Sequence, residues 1–121
     1  MQTTRPIATC ERFDVVVVPF PFTDRATSKR RPALVLSSHP SFNVPSGHSI
    51  LAMITSATHS TWPLDVRVTD MGAAGLSAPS IVRMKLFTLD NEFVLRKAGH
   101  LAEADKRAVR AALAALLTNG N

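Results

Sequence analysis

The sequence predicts a mainly β domain of the α+β class, in which about six strands form a small antiparallel barrel or a strongly curled sheet before one C-terminal helix. Two observations predict the strands: apolar residues alternate with a period of two, and turn residues recur about every ten residues. A third predicts the helix, because the last segment changes to a helical period. We expect an N-terminal lead over residues 1–12 and a single domain over residues 13–121.

Composition favours a globular protein of the cytoplasm. The chain has 121 residues, of which 45% are hydrophobic, so it can bury a core. Its single cysteine, Cys10, excludes a disulfide framework or a multi-cysteine zinc site within one chain, and we predict an inert surface thiol. The longest apolar runs are far shorter than the roughly 20 residues that cross a bilayer, and the first residues lack the apolar core of a secretion signal. We expect a cytoplasmic protein without membrane contact.

The charge balance favours an anionic partner. Lysine and arginine total 14 against 9 acidic residues, which gives a net charge of +5. Nucleic acids, other phosphates and acidic proteins are the partners that such a balance attracts.

The first strand begins at Asp14 with "DVVVVPFPF". Alternate apolar residues share one face, namely Val16, Val18, Phe20 and Phe22. Pro19 and Pro21 carry no N–H, so this end of the strand should lie at a sheet edge or a bulge. The polar, basic stretch Thr23–Arg31 then predicts a loop.

The remaining strands are expected to end near residue 95. "PALVLSS" predicts the second strand, and the continuous apolar run "SILAMITS" predicts a third, central strand. In "PLDVRVT" the inward residues are Leu64, Val66 and Val68. In "IVRMKLFTLD" one face carries Val82, Met84 and Leu86, whereas the other carries Arg83, Lys85 and Phe87. We interpret "HPSFNVPSGH" and "DMGAAGLSAPS" as loops or turns.

A helix is predicted over about residues 102–117, since an apolar stripe there consists of Val109, Leu113, Leu116 and Leu117. Glu103 and Asp105 lie in its first turns, where the helix dipole favours anions, and Gly120 follows as a terminator.

Three cations in a row, Lys29, Arg30 and Arg31, precede Pro32 at the start of the second strand. The proline biases Arg31 toward an extended backbone, and an arginine fork matches two phosphate oxygens at once. Arg30 should point elsewhere, so we rank Arg31 first as a phosphate ligand. A solvated loop remains the alternative for all three.

Histidine chemistry is a second possibility. Two of His39, His48, His59 and His100 could share acid and base duties, although no spacing among them indicates a metal site. His48 and His59 flank the third strand, whereas solvated loop histidines are the simpler interpretation.

The basic pair Arg83 and Lys85 could contact an RNA backbone while Phe87 stacks on a base. A solvated outer face with Phe87 in a dimer contact explains the same pattern. Trp62 is either a packing anchor or a stacking surface.

The segments "FDVVVVPFPFTDRATSKRRPALVLSS", "ILAMITS" and "SIVRMKLFTLDNEFVLRKAGHL", in this order, resemble the PemK/MazF family of toxins from type II toxin–antitoxin systems. The resemblance covers about residues 12–117 and implies an SH3-like barrel that forms a homodimer. It also implies sequence-selective cleavage of single-stranded RNA without a metal or other cofactor, and inhibition by a cognate antitoxin.

The family's catalytic positions correspond to Arg31 and Thr55. We add Lys29, Arg30, Ser56, Arg83 and Lys85 as candidate RNA-binding residues. The chain departs from the family at Phe13, which replaces a glycine before Asp14, and we expect the start of the first strand to be altered there. Two other functions remain open: a non-enzymatic inhibitor of related fold, of the gyrase-poison type, and an inactive binding module.

Overall fold

A computed structural model describes residues 10–19, 29–58 and 60–118. Six antiparallel strands form one curled sheet in the order β4-β5-β3-β2-β1-β6. The strands are β1 (Asp14–Pro19), β2 (Arg30–Val35), β3 (His48–Ser56), β4 (Val66–Arg67), β5 (Ser80–Asp90) and β6 (Arg96–His100). Helix α3 (Glu103–Leu117) follows. The predicted class, a mainly β curled barrel with a C-terminal helix, is confirmed.

The two faces of the sheet carry separate apolar clusters. On the face that packs against α3, which we call the helix face, the strands contribute Val15, Leu34, Ala52, Ile54 and Val82. The opposite face, which we call the far face, carries Val16, Val18, Ala33, Val35 and Leu51. Strands β1, β2, β3 and β5 therefore bury side chains on both faces, as their apolar runs predict.

Two predictions about strand position are confirmed. Strand β3 lies inside the sheet, between β2 and β5. Strand β1 pairs with β6 only as far as Val17, so among the described residues its one partner at Val18 and Pro19 is β2. The proline thus lies where one side of the strand carries no ladder, as its missing N–H requires. Phe20, Phe22, Pro21 and the loop 23–28 fall outside the described residues.

Short helical segments replace two of the predicted loops. A π-helical turn spans His39–Asn43 and continues into α1 (Val44–Ser46), while α2 spans Met71–Ala74. Side-chain caps explain both, because Ser38 Oγ accepts the Ser41 N–H and Asp70 Oδ1 accepts the Ala73 N–H. A 3₁₀ turn, Asn91–Phe93, also interrupts the chain between β5 and β6.

Two glycines let α2 approach β6 closely. A Cβ on Gly75 would lie 2.0 Å from the Ala98 carbonyl oxygen, and one on Gly99 would lie 2.4 Å from the Ala73 carbonyl oxygen. Gly75 also ends α2 in a left-handed conformation with φ +73°.

Asp105 fixes α3 to the segment before α2. Its buried carboxylate accepts hydrogen bonds from the Thr69 N–H and hydroxyl and from the Asp70 N–H, at 2.7–3.1 Å. Burial alone would raise the pKa of Asp105, but the hydrogen bonds outweigh that effect and lower the pKa below its ordinary value. Helix α3 ends at Leu117, and Gly120 lies outside the described residues.

Several other sequence predictions are wrong. The last strand, β6, runs to His100 instead of ending near residue 95, and Arg30 and Arg31 belong to β2 rather than to the predicted loop. Cys10 is buried in the far-face cluster rather than exposed, and burial raises the pKa of its thiol to about 11. Leu64 is 39% exposed because it adopts a left-handed turn with φ +66° before β4, so it does not join Val66 and Val68 in the core.

Phe13 adopts a backbone conformation that glycine favours. Its φ is +72°, in the left-handed region that glycine favours. Backbone hydrogen bonds to Val35 and Leu101 hold it there, and its ring is buried in the helix-face cluster. Burial of the ring compensates for the strained backbone. The altered strand start expected from this substitution stays a prediction.

Candidate active site

The β2–β3 register bears on the positions of Arg31 and Thr55. Strands β2 and β3 pair Val35 with Leu51 and Ala33 with Met53, where the paired residues end. Continued for two residues, the same register would set Arg31 opposite Thr55. Alternation also assigns both residues to the far face, since Ala33 belongs to the far-face cluster and Met53 packs against it. The two residues that the resemblance implicates in catalysis thus share one face and one position along adjacent strands.

The three consecutive cations at the start of β2 differ in exposure and in the face of the sheet that they occupy. Lys29 and Arg30 are exposed, whereas Arg31 is half-buried and pairs with Val18 of β1. Alternation turns Arg30 to the helix face, with Pro32, and Arg31 to the far face. A cleft of about 220 Å³ at this end of the sheet is lined by Arg30, Arg31 and Arg96 together with the segment 75–77.

Thr55 and Ser56 end β3 beside β5. Thr55 pairs with Ile81 and is half-buried, whereas Ser56 is exposed and pairs with Ser80. Ser56 Oγ lies 2.9 Å from the Thr58 hydroxyl and accepts the Thr58 N–H at 3.2 Å, so it shapes the turn after the strand.

Arg83 fixes the loop between β3 and β4 to the sheet. Its guanidinium donates to both Asp65 carboxylate oxygens, at 3.1 and 2.9 Å, and to the Ser60 carbonyl. The residue is only 8% exposed, and the hydrogen bonds to Asp65 raise its pKa. Since Arg83 pairs with Met53, this anchor lies on the far face, two residue pairs along the β3–β5 ladder from Thr55.

The anchored loop presents Trp62 beside Lys85. The Lys85 ammonium lies 4.6 Å from the centre of the indole ring. The backbone N–H of Trp62 donates to Asp65 Oδ2 at 3.0 Å. Trp62 remains 40% exposed and Lys85 is exposed. An accessible indole beside a cation is a suitable surface for an unstacked nucleobase.

The possible acid and base role of the two histidines that flank β3 stays a prediction. His48 is exposed and its Nδ1 lies 3.0 Å from the Ser46 carbonyl, while His59 falls outside the described residues. His39 and His100 instead line one cavity at the other end of β1. Within the described part of the chain, no three histidine, cysteine or acidic side chains group as metal ligands.

The fold and the site define a class of small, curled β-sheet proteins with a cationic cleft at one sheet end. The model of the family described as "PemK-like, MazF-like toxin of type II toxin-antitoxin system" matches residues 11–117. The chain therefore belongs to that family. No curated protein matches it. None of the helices in the described ranges has the length and apolar character needed to cross a membrane.

Solved structures with the same fold include toxins bound to antitoxins. A MazE–MazF complex from Deinococcus radiodurans is 23% identical, with a TM-score of 0.72, and the match covers 93% of this chain and 100% of the other. An endoribonuclease in complex with its cognate antitoxin, from a mycobacterial species, is 19% identical with a TM-score of 0.72 and covers 93% and 98%. The Mycobacterium tuberculosis toxin MazF-mt6 is 21% identical with a TM-score of 0.69 and covers 89% and 99%.

Proposed function

We propose that the protein is a toxin that cleaves single-stranded RNA at selected sequences, without a metal ion, and that a cognate antitoxin inhibits it. Membership of the toxin family supports the general role. The observation that supports the catalytic assignment is the β2–β3 register, which would set Arg31 opposite Thr55 on the far face if it continued two residues beyond the Ala33–Met53 pair. We propose these two residues as the catalytic pair.

Cleavage by the RNA's own 2′-hydroxyl needs few protein groups. The 2′-oxygen forms a bond to the adjacent phosphorus while the bond to the 5′-oxygen breaks; the 2′-hydroxyl loses a proton and the 5′-oxygen gains one. Negative charge accumulates on the phosphate oxygens between these events, and its stabilisation is usually the largest catalytic effect. The permanently charged fork of Arg31 suits that task, and the Thr55 hydroxyl can donate to an oxygen or orient the guanidinium.

RNA binding is assigned to residues around this pair. Lys29 and Arg30 are exposed and would attract the backbone without sequence preference. Ser56 lies beside Thr55, and Lys85 with Trp62 offers a stacking surface. Arg83 was also predicted to contact RNA; its observed bonds to Asp65 and Ser60 support an indirect role instead, in which it holds the Trp62 loop in place.

We further propose a homodimer in the cytoplasm and an antitoxin with an acidic segment. The net charge of +5 suits such a segment, which would order as it covers the cationic cleft. The structural neighbours that contain an antitoxin support the existence of such a partner.

The decisive experiment incubates the purified protein with labelled single-stranded RNA in EDTA, with and without a short acidic protein encoded beside its gene. We expect discrete cleavage products that the acidic protein suppresses. Intact RNA, combined with growth arrest on expression, would favour the gyrase-poison type. Intact RNA without arrest would favour an inactive binding module.

A further inference from the structure

A second group of basic side chains lies at the opposite end of β1 from Arg31. At one end Pro19 pairs with Arg30, and at the other Asp14 pairs with His100. Five residue steps along a strand separate these ends, which amounts to about 16 Å. This second group is therefore distinct from the proposed catalytic cleft.

The second group surrounds a cavity of about 440 Å³. Five of its lining residues are basic: Arg12, His39, His100, Lys106 and Arg110. Of the residues that the structure describes, Glu11 is the one acidic residue that lines it. The excess of hydrogen-bond donors and positive charge within a single cavity suits a compact anion, and arginine forks match phosphate oxygens in particular.

Asp14 orients His100, one of the residues that line this cavity. The Asp14 side chain is 4% exposed, and its Oδ1 lies 2.8 Å from His100 Nδ1 and 3.2 Å from Lys97 Nζ. Its Oδ2 accepts the Glu11 N–H at 2.9 Å. Because the carboxylate engages Nδ1 and fixes the ring, Nε2 is the ring atom that remains for a ligand. A buried carboxylate that holds a cavity histidine in one orientation is a feature of a built site.

The two arginines of the cavity are held by the protein as well. Arg12 Nε donates to the Leu36 carbonyl at 2.8 Å, and the Arg110 guanidinium lies over the Phe13 ring, 5.0 Å from its centre. Holding the side chains in this way reduces the entropy that they would lose on binding an anion.

The same two arginines also line a neighbouring apolar groove of about 510 Å³, together with Phe13, Leu36 and Leu113. Both cavities thus share Arg12, Phe13 and Arg110 as a common wall. A ligand that joins a phosphate to a flat, largely apolar group would fill both at once, and a nucleotide has this construction.

We propose that this double cavity binds a nucleotide, with its phosphate between His100, Arg12 and Arg110 and its base in the apolar groove. The nucleotide is either a free mononucleotide or one unit of an RNA chain. Because the cavity uses none of the proposed catalytic residues, its binding does not depend on RNA cleavage. The proposal can therefore be tested in a protein that lacks Arg31.

The test measures binding by calorimetry to the Arg31→Ala protein, with adenosine monophosphate, inorganic phosphate and a single-stranded oligoribonucleotide as probes. We expect Arg110→Gln and His100→Gln each to weaken binding about tenfold, because each removes one charge-assisted hydrogen bond to the phosphate. Arg107→Gln is the matched control, since Arg107 is an exposed arginine of the same helix that does not line the cavity; we expect it to leave binding unchanged. Thermal melts verify that each variant folds, and the His100 imidazole resonances of the parent protein report binding without a cavity substitution.

The probes separate the possible sources. Tight binding of the mononucleotide identifies a free nucleotide, whereas oligonucleotide binding that Arg110→Gln weakens, without mononucleotide binding, identifies an RNA chain. Inorganic phosphate that binds as tightly as the mononucleotide would overturn the role of the apolar groove. The proposal as a whole is overturned if neither nucleotide probe shifts the His100 resonances, or if Arg107→Gln weakens binding as much as Arg110→Gln.

Discussion

The Arg83 guanidinium and the Asp65 carboxylate form a two-point ion pair, with Nε 3.1 Å from Oδ1 and Nη2 2.9 Å from Oδ2. The pair joins the middle of β5 to the loop that carries Trp62, and its side chains are only 10% and 15% exposed. Such a pair fixes geometry more than it adds stability, because burial of both charges offsets much of their attraction. Removal of one partner, however, leaves the other charge in a poorly solvated position.

We expect Asp65→Asn to destabilise the protein by about 2 kcal/mol, because Arg83 loses its charged acceptor. Urea denaturation measures this loss of stability. Trp62 is the one tryptophan of the chain, so its fluorescence reports on the loop and should shift in the variant. Glu103→Gln is the control: it breaks an ion pair with Lys106 in which the glutamate is 73% exposed, and it should change stability very little. Equal effects of the two substitutions would show that the Asp65 pair is no more important than an exposed one.

The left-handed backbone at Phe13 predicts an unusual ranking of substitutions. Phe13→Ala and Phe13→Gly both remove the buried ring, which should cost about 3–5 kcal/mol. Alanine is strained at the φ of +72° that this position requires, whereas glycine adopts it without strain. The glycine variant should therefore be the more stable of the two by about 1 kcal/mol. Denaturation curves of both variants decide this. An alanine variant as stable as the glycine variant would contradict the strained conformation.

Asp105 should make stability depend on acid pH. Its pKa is lower in the folded protein than the usual value of about 3.9, so its contribution is complete above that value and is lost as the pH falls through the folded pKa. Asp105→Asn should destabilise the protein by about 2 kcal/mol at pH 7, because the Thr69 and Asp70 donors lose an ionised acceptor.

Denaturation at pH 7 and pH 3 tests this assignment. The difference in stability between wild type and Asp105→Asn should shrink at the lower pH, where the Asp105 carboxylate of the unfolded chain takes up a proton more readily than that of the folded protein. A difference that stays constant between the two pH values would show that the Asp105 charge plays no part.

Cys10 should react slowly in the native protein. With a pKa of about 11, its thiolate amounts to roughly one part in a thousand at pH 8, and the side chain is 8% exposed. We expect a thiol reagent such as DTNB to modify it slowly in buffer and rapidly in denaturant, with Cys10→Ser as the unreactive control. Rapid modification under native conditions would place the thiol at the surface, as the sequence alone predicts.

Alternation along the strands is the part of the fold that the sequence specifies most clearly. Val82 and Met84 lie in the helix-face cluster as predicted, and Arg83 pairs on the far face. The alternation persists through an irregularity in β5. Between the Met53–Arg83 pair and the Ala52–Leu86 pair, β5 carries two extra residues. An even number of extra residues leaves the faces of the strand unchanged.

Features that depend on contacts distant in the sequence could not be predicted. The partner of Arg83 is Asp65, 18 residues away, and no local pattern indicates that pair. Likewise, Asp14 meets His100 across 86 residues, so the cavity that contains His100 becomes visible only once β1 and β6 are paired. Burial of Cys10 has the same origin, since the far-face cluster draws on several strands.

The catalytic assignment is the central claim, and a double-mutant cycle on RNA cleavage tests it most directly. Arg31→Ala, Thr55→Val and the double variant are compared in EDTA with Arg30→Ala as the matched control, and the cut ends are sequenced from a mixed RNA pool. We expect Arg31→Ala to reduce cleavage about 10³-fold, as loss of a transition-state donor does. Adding Thr55→Val to Arg31→Ala should reduce cleavage little further, because both residues act on one phosphate. Arg30→Ala should cut at the same sequences with weaker binding. Full cleavage by the Arg31→Ala protein, or loss of cleavage only in the Arg30→Ala protein, would contradict the account.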